Sequence, residues 1–192
     1  MRPVVRRALR ATILVWAAGM ALHSRAADSG NDIEVSAKKV ADTVVIDVSM
    51  LVSATPREAW DVLTDYDKMP SFLPNLQVSK IISRSPTRLQ VVQKGGVSHG
   101  PITITFDVIR DVQLKPYSEV ISHVVSGNLK QVDGTTRIAA EGEATRVTFH
   151  SVSIPNVWVP PGIGPSMIES ETRDQFGDMR AEILRRKSAQ KQ

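Results

Sequence analysis

The chain reads as an α+β protein: a curved antiparallel sheet, two short helices after the first long strand, and one long C-terminal helix across the concave face. Three features point there. Val44, Ile46, Val48, Met50 and Val52 alternate along one face of an extended strand. From residue 76 to 154, short alternating runs are separated by turn residues, as in an antiparallel meander. Near the C-terminus, Ile168, Thr172, Phe176, Met179 and Ile183 recur along one helical stripe. One amphipathic helix has to bury its stripe on one sheet, and the simplest packing lays it across the concave side.

The first 26 residues stand apart. Arg2, Arg6, Arg7 and Arg10 precede the apolar run "ATILVWAAGMAL", and Ser24 and Ala26 have the spacing of a cleavage site. The expectation is a signal peptide at 1–26, a linker at 27–32, one domain at 33–187 and a disordered polar tail at 188–192. An uncleaved anchor or a buried helix is the competing account, although the apolar run is short for a bilayer. The Arg6–Arg7 pair fits twin-arginine export and an ordinary basic leader equally well. Cleavage after Ala26 removes five arginines and no acid, taking the formal charge from +4 to −1. The basic pI thus belongs to the leader, and no electrostatic case for nucleic acid remains. With no cysteine, the chain has no disulfide, thiol nucleophile or cysteine-linked lipid anchor.

Each element has a local cause. "ADT" at 41–43 reads as a turn that pairs residues 33–39 with the first long strand. Thr55 and Glu58 form a capping box with Pro56 at the first helical position. Ala59, Trp60, Val62, Leu63 and Tyr66 supply the buried side, and residues 67–73 read as a second short turn stopped at Pro74. Strands follow around 76–85 and 87–95. The next, at 100–114, carries Ile102, Ile104, Phe106 and Val108 on one face. Two more follow at 117–127 and 129–142, the latter with Asp133-Gly134 as a turn signal. The series closes at 143–154, with Val147 and Phe149 sharing a face. Ser166 and Glu169 read as a second capping box opening the long helix, and Gly177 interrupts it.

The stretch "NVWVPPGIGPSMIE" at 156–169 is Pro- and Gly-rich yet apolar, which packing alone does not explain. It reads as the roof of a hydrophobic pocket. Trp158, Pro160, Pro161, Ile163 and Met167 form that roof, with Phe72 and Leu73 from the helical corner. The wall is Ile104, Phe106, Val147, Phe149, Ile168, Phe176 and Met179. Each of these residues, taken singly, also fits an ordinary core.

A catalytic reading needs an acid or base inside the pocket. Alternation turns Asp107 and His150 toward water. Glu119 and His123 share a face with Ile121 and Val125 whose direction is open, which makes His123 the first choice for a polar group that orients a ligand. The histidines are scattered without a ligand pair, so no metal is expected. Gly95-Gly96 lacks the helix and lysine of a phosphate loop and reads as a bulge. No Gly-x-Ser-x-Gly elbow occurs. No cofactor is expected.

"VSATPREAWDVLTDYDKMPSFLPNL" and "WVPPGIGPSMIESETRDQFGDMRAEI" resemble the opening and end of the START-like, helix-grip superfamily that includes polyketide cyclases and dehydrases. Within it, they are most similar to an exported branch described as coenzyme Q-binding. The resemblance covers roughly residues 40–187 and implies a seven-stranded sheet gripping the C-terminal helix, with an apolar cavity beside that helix. Members bind lipids, sterols or quinones, or cyclise polyketides, so fold and activity are loosely tied. The leading expectation is an exported carrier of a hydrophobic small molecule, held between sheet and helix. Its partners would be that ligand and, transiently, a membrane. A cyclase or dehydratase working in the same cavity is the alternative. A third option is a protein whose apolar loop docks on a membrane or partner.

Overall fold

The computed structural model describes residues 32–99, 102–154 and 164–190, and of 97–99 and 102–104 the backbone alone. Eight strands form one antiparallel sheet: β1 (Ile33–Val40), β2 (Thr43–Val52), β3 (Leu76–Arg84), β4 (Arg88–His99), β5 (Ile102–Lys115), β6 (Glu119–Gly127), β7 (Gln131–Glu141) and β8 (Ala144–Ile154). Their order is β1-β2-β8-β7-β6-β5-β4-β3, so β2 meets β8 while β1 and β3 lie at the two edges. Helix α1 (Pro56–Leu63) and a 3-10 turn at Tyr66–Ser71 join β2 to β3, and α2 (Gly164–Ala189) ends the fold.

The sheet has eight strands where seven were implied. The additional one is β1, paired with β2 over its whole length through the Ala41-Asp42 turn. Helix α2 runs through Ala189, past the expected start of the tail at 188. Asp133-Gly134 makes no turn. It lies within β7, where a Cβ on Gly134 would come within 3.1 Å of the Phe149 ring. The glycine leaves room for that ring within a continuous strand and does not reverse the chain. The irregularity expected at Gly95 lies across from it, in β3 between Leu76 and Val78.

Helix α1 starts as its sequence directs. The Thr55 N–H donates to Glu58 Oε2 at 2.7 Å, and the Glu58 N–H donates to Thr55 Oγ1 at 3.3 Å. Tyr117 occupies a left-handed conformation (φ +61°) in the β5–β6 turn. Its ring meets Trp60 edge-on at 5.8 Å and lies under the Arg57 guanidinium, contacts that offset the backbone cost. Met50, Val52, Val62, Val91, Val112 and Val147 are fully enclosed and form the core beneath α2, together with Ile183.

Polar tethers hold α2 along one flank. Helix α2 begins at Gly164, so Ser166 lies inside its first turn and is not the N-cap of the expected capping box, while Glu169 Oε1 accepts the Ala37 N–H at 2.9 Å. Arg173 donates to the Ile33 carbonyl, and Arg180 donates to the Leu51 carbonyl and to Asp32. At the far end, Glu182 accepts from Arg185 and Arg186 at 2.7–2.8 Å, and Arg186 also reaches Asp65 at 2.8 Å.

Those bonds, Arg185 first, pull the Glu182 carboxyl down to about 2, against the burial that pushes it up. A carboxyl held lower in the folded chain stabilises the fold above its unfolded value near 4.5, and that stability drains away as pH falls toward 2. After solvent screening through the exposed Arg185, the contribution is about 2 kcal/mol. Glu182→Gln is therefore expected to unfold at lower urea than the parent at pH 7, with the gap closing by pH 2. A gap independent of pH would show that the carboxylate charge is not what holds this corner.

Candidate functional site

The concave face of the sheet and α2 do not meet everywhere. A cavity of about 370 Å3 lies between them. Even-numbered positions of β5 and β6 and odd-numbered positions of β4 and β8 turn into it, a consequence of strand alternation and the antiparallel register. Phe106, Phe149, Phe176 and Met179 make one apolar wall, with the Phe149 and Phe176 rings 5.6 Å apart. Leu63, Met69, Leu73 and Leu76 close the end beneath α1 and the 3-10 turn.

The lining is not all hydrocarbon. Ser122, Thr136, Ser151, Ser153, Thr172 and Gln175 border it on the sheet and on α2. Gln93 is buried and donates to Ser79 Oγ at 3.2 Å, with Met69 Sδ also in reach. The β6–β7 ladder stops at His123↔Asp133, so the last residues of β6 leave their neighbour strand. Leu129, in the connection between them, and Val132 of β7 border the cavity at this gap.

Arg110 is the one permanently charged side chain on the described lining, which includes no carboxylate and no imidazole. Its neighbours across the ladder are Val91 on β4 and Val124 on β6. Its Nε is buried and has no hydrogen-bond partner. The surface that Arg110 retains borders the cavity, while the protein around it desolvates the guanidinium and lowers its pKa. The guanidinium still stays charged at neutral pH. Tyr66, also on the lining, is pushed up to about 12 by burial, which outweighs the opposing pull of Arg110. It is therefore a neutral phenol that keeps its proton.

The expected site residues fall into three groups. Leu73, Phe106, Phe149, Phe176 and Met179 border the cavity. Others lie elsewhere. Val147 is enclosed in the core one rung from Phe149, and Phe72 lies under the Arg186 guanidinium at 5.8 Å. Met167 is buried and Ile168 half-buried in the first turns of α2, and neither borders the cavity. His123 is on the opposite face: it lies beside Asp111 and Asp133 in register and borders a separate polar depression with Arg88 and Gln90. Val120 and Ser122, its alternates, take the inward positions. Trp158, Pro160, Pro161 and Ile163 lie outside the described residues, as does the side chain of Ile104.

Of the other titratable groups, Asp107 pairs with Lys94 at 2.8 Å and His150 with Asp47 at 2.8 Å, both pairs on the solvent side. No group of three or more metal-ligating side chains occurs among the described residues, and none of their helices is long and apolar enough to cross a membrane. Sequence reasoning missed Arg110 and Gln93. The signal for Arg110 was available, since it continues the series Phe106, Val108, Arg110, Val112, Leu114 and is its one charged member.

A family model described as "Polyketide cyclase / dehydrase and lipid transport" matches residues 52–179, from the end of β2 to the middle of α2. The chain belongs to this family. No curated protein matches it. Among solved structures, a STAR-related lipid transfer protein from Xanthomonas axonopodis superimposes with a TM-score of 0.68 at 12% identity, covering 82% of this chain and 97% of that one. The Zhui aromatase/cyclase from Streptomyces sp. R1128 gives 0.62 at 14% identity, covering 75% and 95%. A START superfamily protein from Mycobacterium smegmatis gives 0.55 at 13%, covering 77% and 99%. At these identities the neighbours establish the shared fold, a sheet wrapped on its C-terminal helix. Family membership makes this a START-like chain of the polyketide cyclase and lipid-transport type.

Proposed function

We propose that this protein binds and carries a hydrophobic small molecule, such as a lipid, an isoprenoid quinone or a polyketide-like compound, in the cavity under α2. One observation carries the reading: the gap between sheet and helix is walled by four large apolar side chains and left open by the packing of the described residues. Interiors ordinarily close such gaps, because unfilled apolar space forfeits contact energy. A cavity with apolar walls and a few polar groups is the usual form of a small-molecule site. The family description includes lipid transport, and one neighbour is titled a lipid transfer protein. The basic leader with its apolar run supports action outside the cytoplasm, with transient membrane contact where the cargo is exchanged.

The family and the aromatase/cyclase neighbour also bring an enzymatic reading. Cyclisation and dehydration need a group that removes and returns protons. The described walls offer a neutral phenol and a guanidinium instead of a carboxylate or imidazole, which favours carriage over catalysis.

Native mass spectrometry of the purified chain, followed by organic extraction, is expected to release one apolar molecule per chain. The emptied protein should then take up a hydrophobic dye that the extract displaces. A chain that carries nothing and admits no dye would overturn the carrier reading.

A further inference from the structure

Arg110 is an expensive residue at its position. Along β5, Phe106, Val112 and Leu114 share its face, and its ladder neighbours Val91 and Val124 are aliphatic. No acid on the described lining answers its charge, and its Nε is the one buried side-chain polar atom without a hydrogen-bond partner among the described residues. A buried cation without a partner is normally replaced by a neutral side chain or given a carboxylate. Here Arg110, with its Nε unpartnered, lines an open cavity together with Tyr66, and Ser122 is next along β6.

We propose that the ligand is an amphiphile with a single carboxylate head seated on Arg110, its apolar body lying along Phe106, Phe149, Phe176 and Met179. The inference rests on the carrier reading and names the chemical class of the cargo. A guanidinium edge presents two parallel donors that match the two oxygens of a carboxylate, and the pairing is charge-assisted. One negative charge neutralises one positive charge. A phosphate dianion would leave an excess charge in a poorly solvated cavity, and an alcohol or quinone carbonyl would leave the cation unanswered. Tyr66 keeps its proton and so can donate to the same head group without adding charge. Linear fatty acids and polycyclic aromatic acids share this head, and the shape of the apolar wall decides between them.

The test compares matched acids and alcohols. The full chain, freed of guest by extraction, is titrated with dodecanoate, 1-dodecanol, 2-naphthoate and 2-naphthylmethanol, each by displacement of a bound hydrophobic dye. At least one acid is expected to bind about tenfold or more tightly than its alcohol. Which pair shows the larger gap identifies the acyl-chain or the polycyclic source. Arg110→Met is expected to bring acid and alcohol within about threefold while dye uptake persists. Arg110→Gln provides the same comparison should the methionine variant fail to fold. Equal binding of acid and alcohol by the parent chain would overturn the inference and leave the carrier reading standing. An acid preference that survives loss of the guanidinium would overturn it too, since selectivity would then reside elsewhere. If no ligand and no dye enters, both readings fall together.

Discussion

Phe176→Ala is expected to cost about 3–4 kcal/mol of stability, read as a lower urea midpoint, while hydrophobic dye uptake is retained or strengthened. Phe176 is 6% exposed, stacks at a tilt on Phe149 and projects from the middle of α2. Truncation removes the apolar area of the ring and leaves a void that α2 is poorly placed to close. Arg173 and Arg180 pin that helix to β1 and β2, and Arg186 pins it to Asp65 between α1 and the 3-10 turn. The same pinning joins the new void to the existing cavity, so capacity rises as stability falls. A loss below about 1 kcal/mol would mean that the ring is not a packing element. Strong loss of dye binding in a chain that remains folded would mean that it is a direct contact whose area outweighs the added room.

Gly95→Ala is expected to destabilise by about 3 kcal/mol or more, or to prevent folding. A Cβ there would lie 2.2 Å from the Asn75 carbonyl oxygen and 2.7 Å from Phe106 Cζ. The ring has some freedom to turn, but the oxygen does not: it accepts the Gly96 N–H at 3.0 Å and fixes the start of β3 against β4. The same substitution at Gly177 on α2, where a Cβ meets nothing within 4 Å, is expected to gain about 1 kcal/mol from helix propensity. Two alanines with opposite signs, measured by chemical denaturation, separate close packing from backbone entropy. A mild effect at Gly95 would show that β3 and β4 are free to move apart there.

Much of this architecture is written in short-range patterns. Alternation along residues 44–52 identifies the inward face of β2, since Val44, Val48, Met50 and Val52 are all buried. The Thr55–Glu58 box fixes the start of α1. Where reading from sequence fails, two local meanings compete and a distant contact decides. Asp133-Gly134 is good turn chemistry, but Phe149, fifteen residues on, needs the glycine's space within a continuous strand. Ser166 and Glu169 have capping-box spacing, but the helix already begins at Gly164, and Glu169 bonds Ala37 on β1, 132 positions away. For His123, alternation defines two faces without saying which is inward, because Val120 and Val124 make as apolar a face as Ile121 and Val125. The apolar wall was therefore legible in part, from Phe106, Phe149, Phe176 and Met179. The polar part was not, because a charged side chain on a strand ordinarily marks a solvent-facing position. Arg110 breaks that rule, and such violations concentrate at sites under functional demand.

The early end of the β6–β7 ladder has a kinetic meaning. Past His123, the β7-facing peptide groups of β6 have no partner in the β6–β7 ladder. Amides on that side are the natural place for early deuterium uptake, ahead of β2 and β8, which stay paired along nearly their full length. A guest departing beside Leu129 would pass these unpaired strand ends, so its residence time would follow their local breathing and not the lifetime of the whole fold.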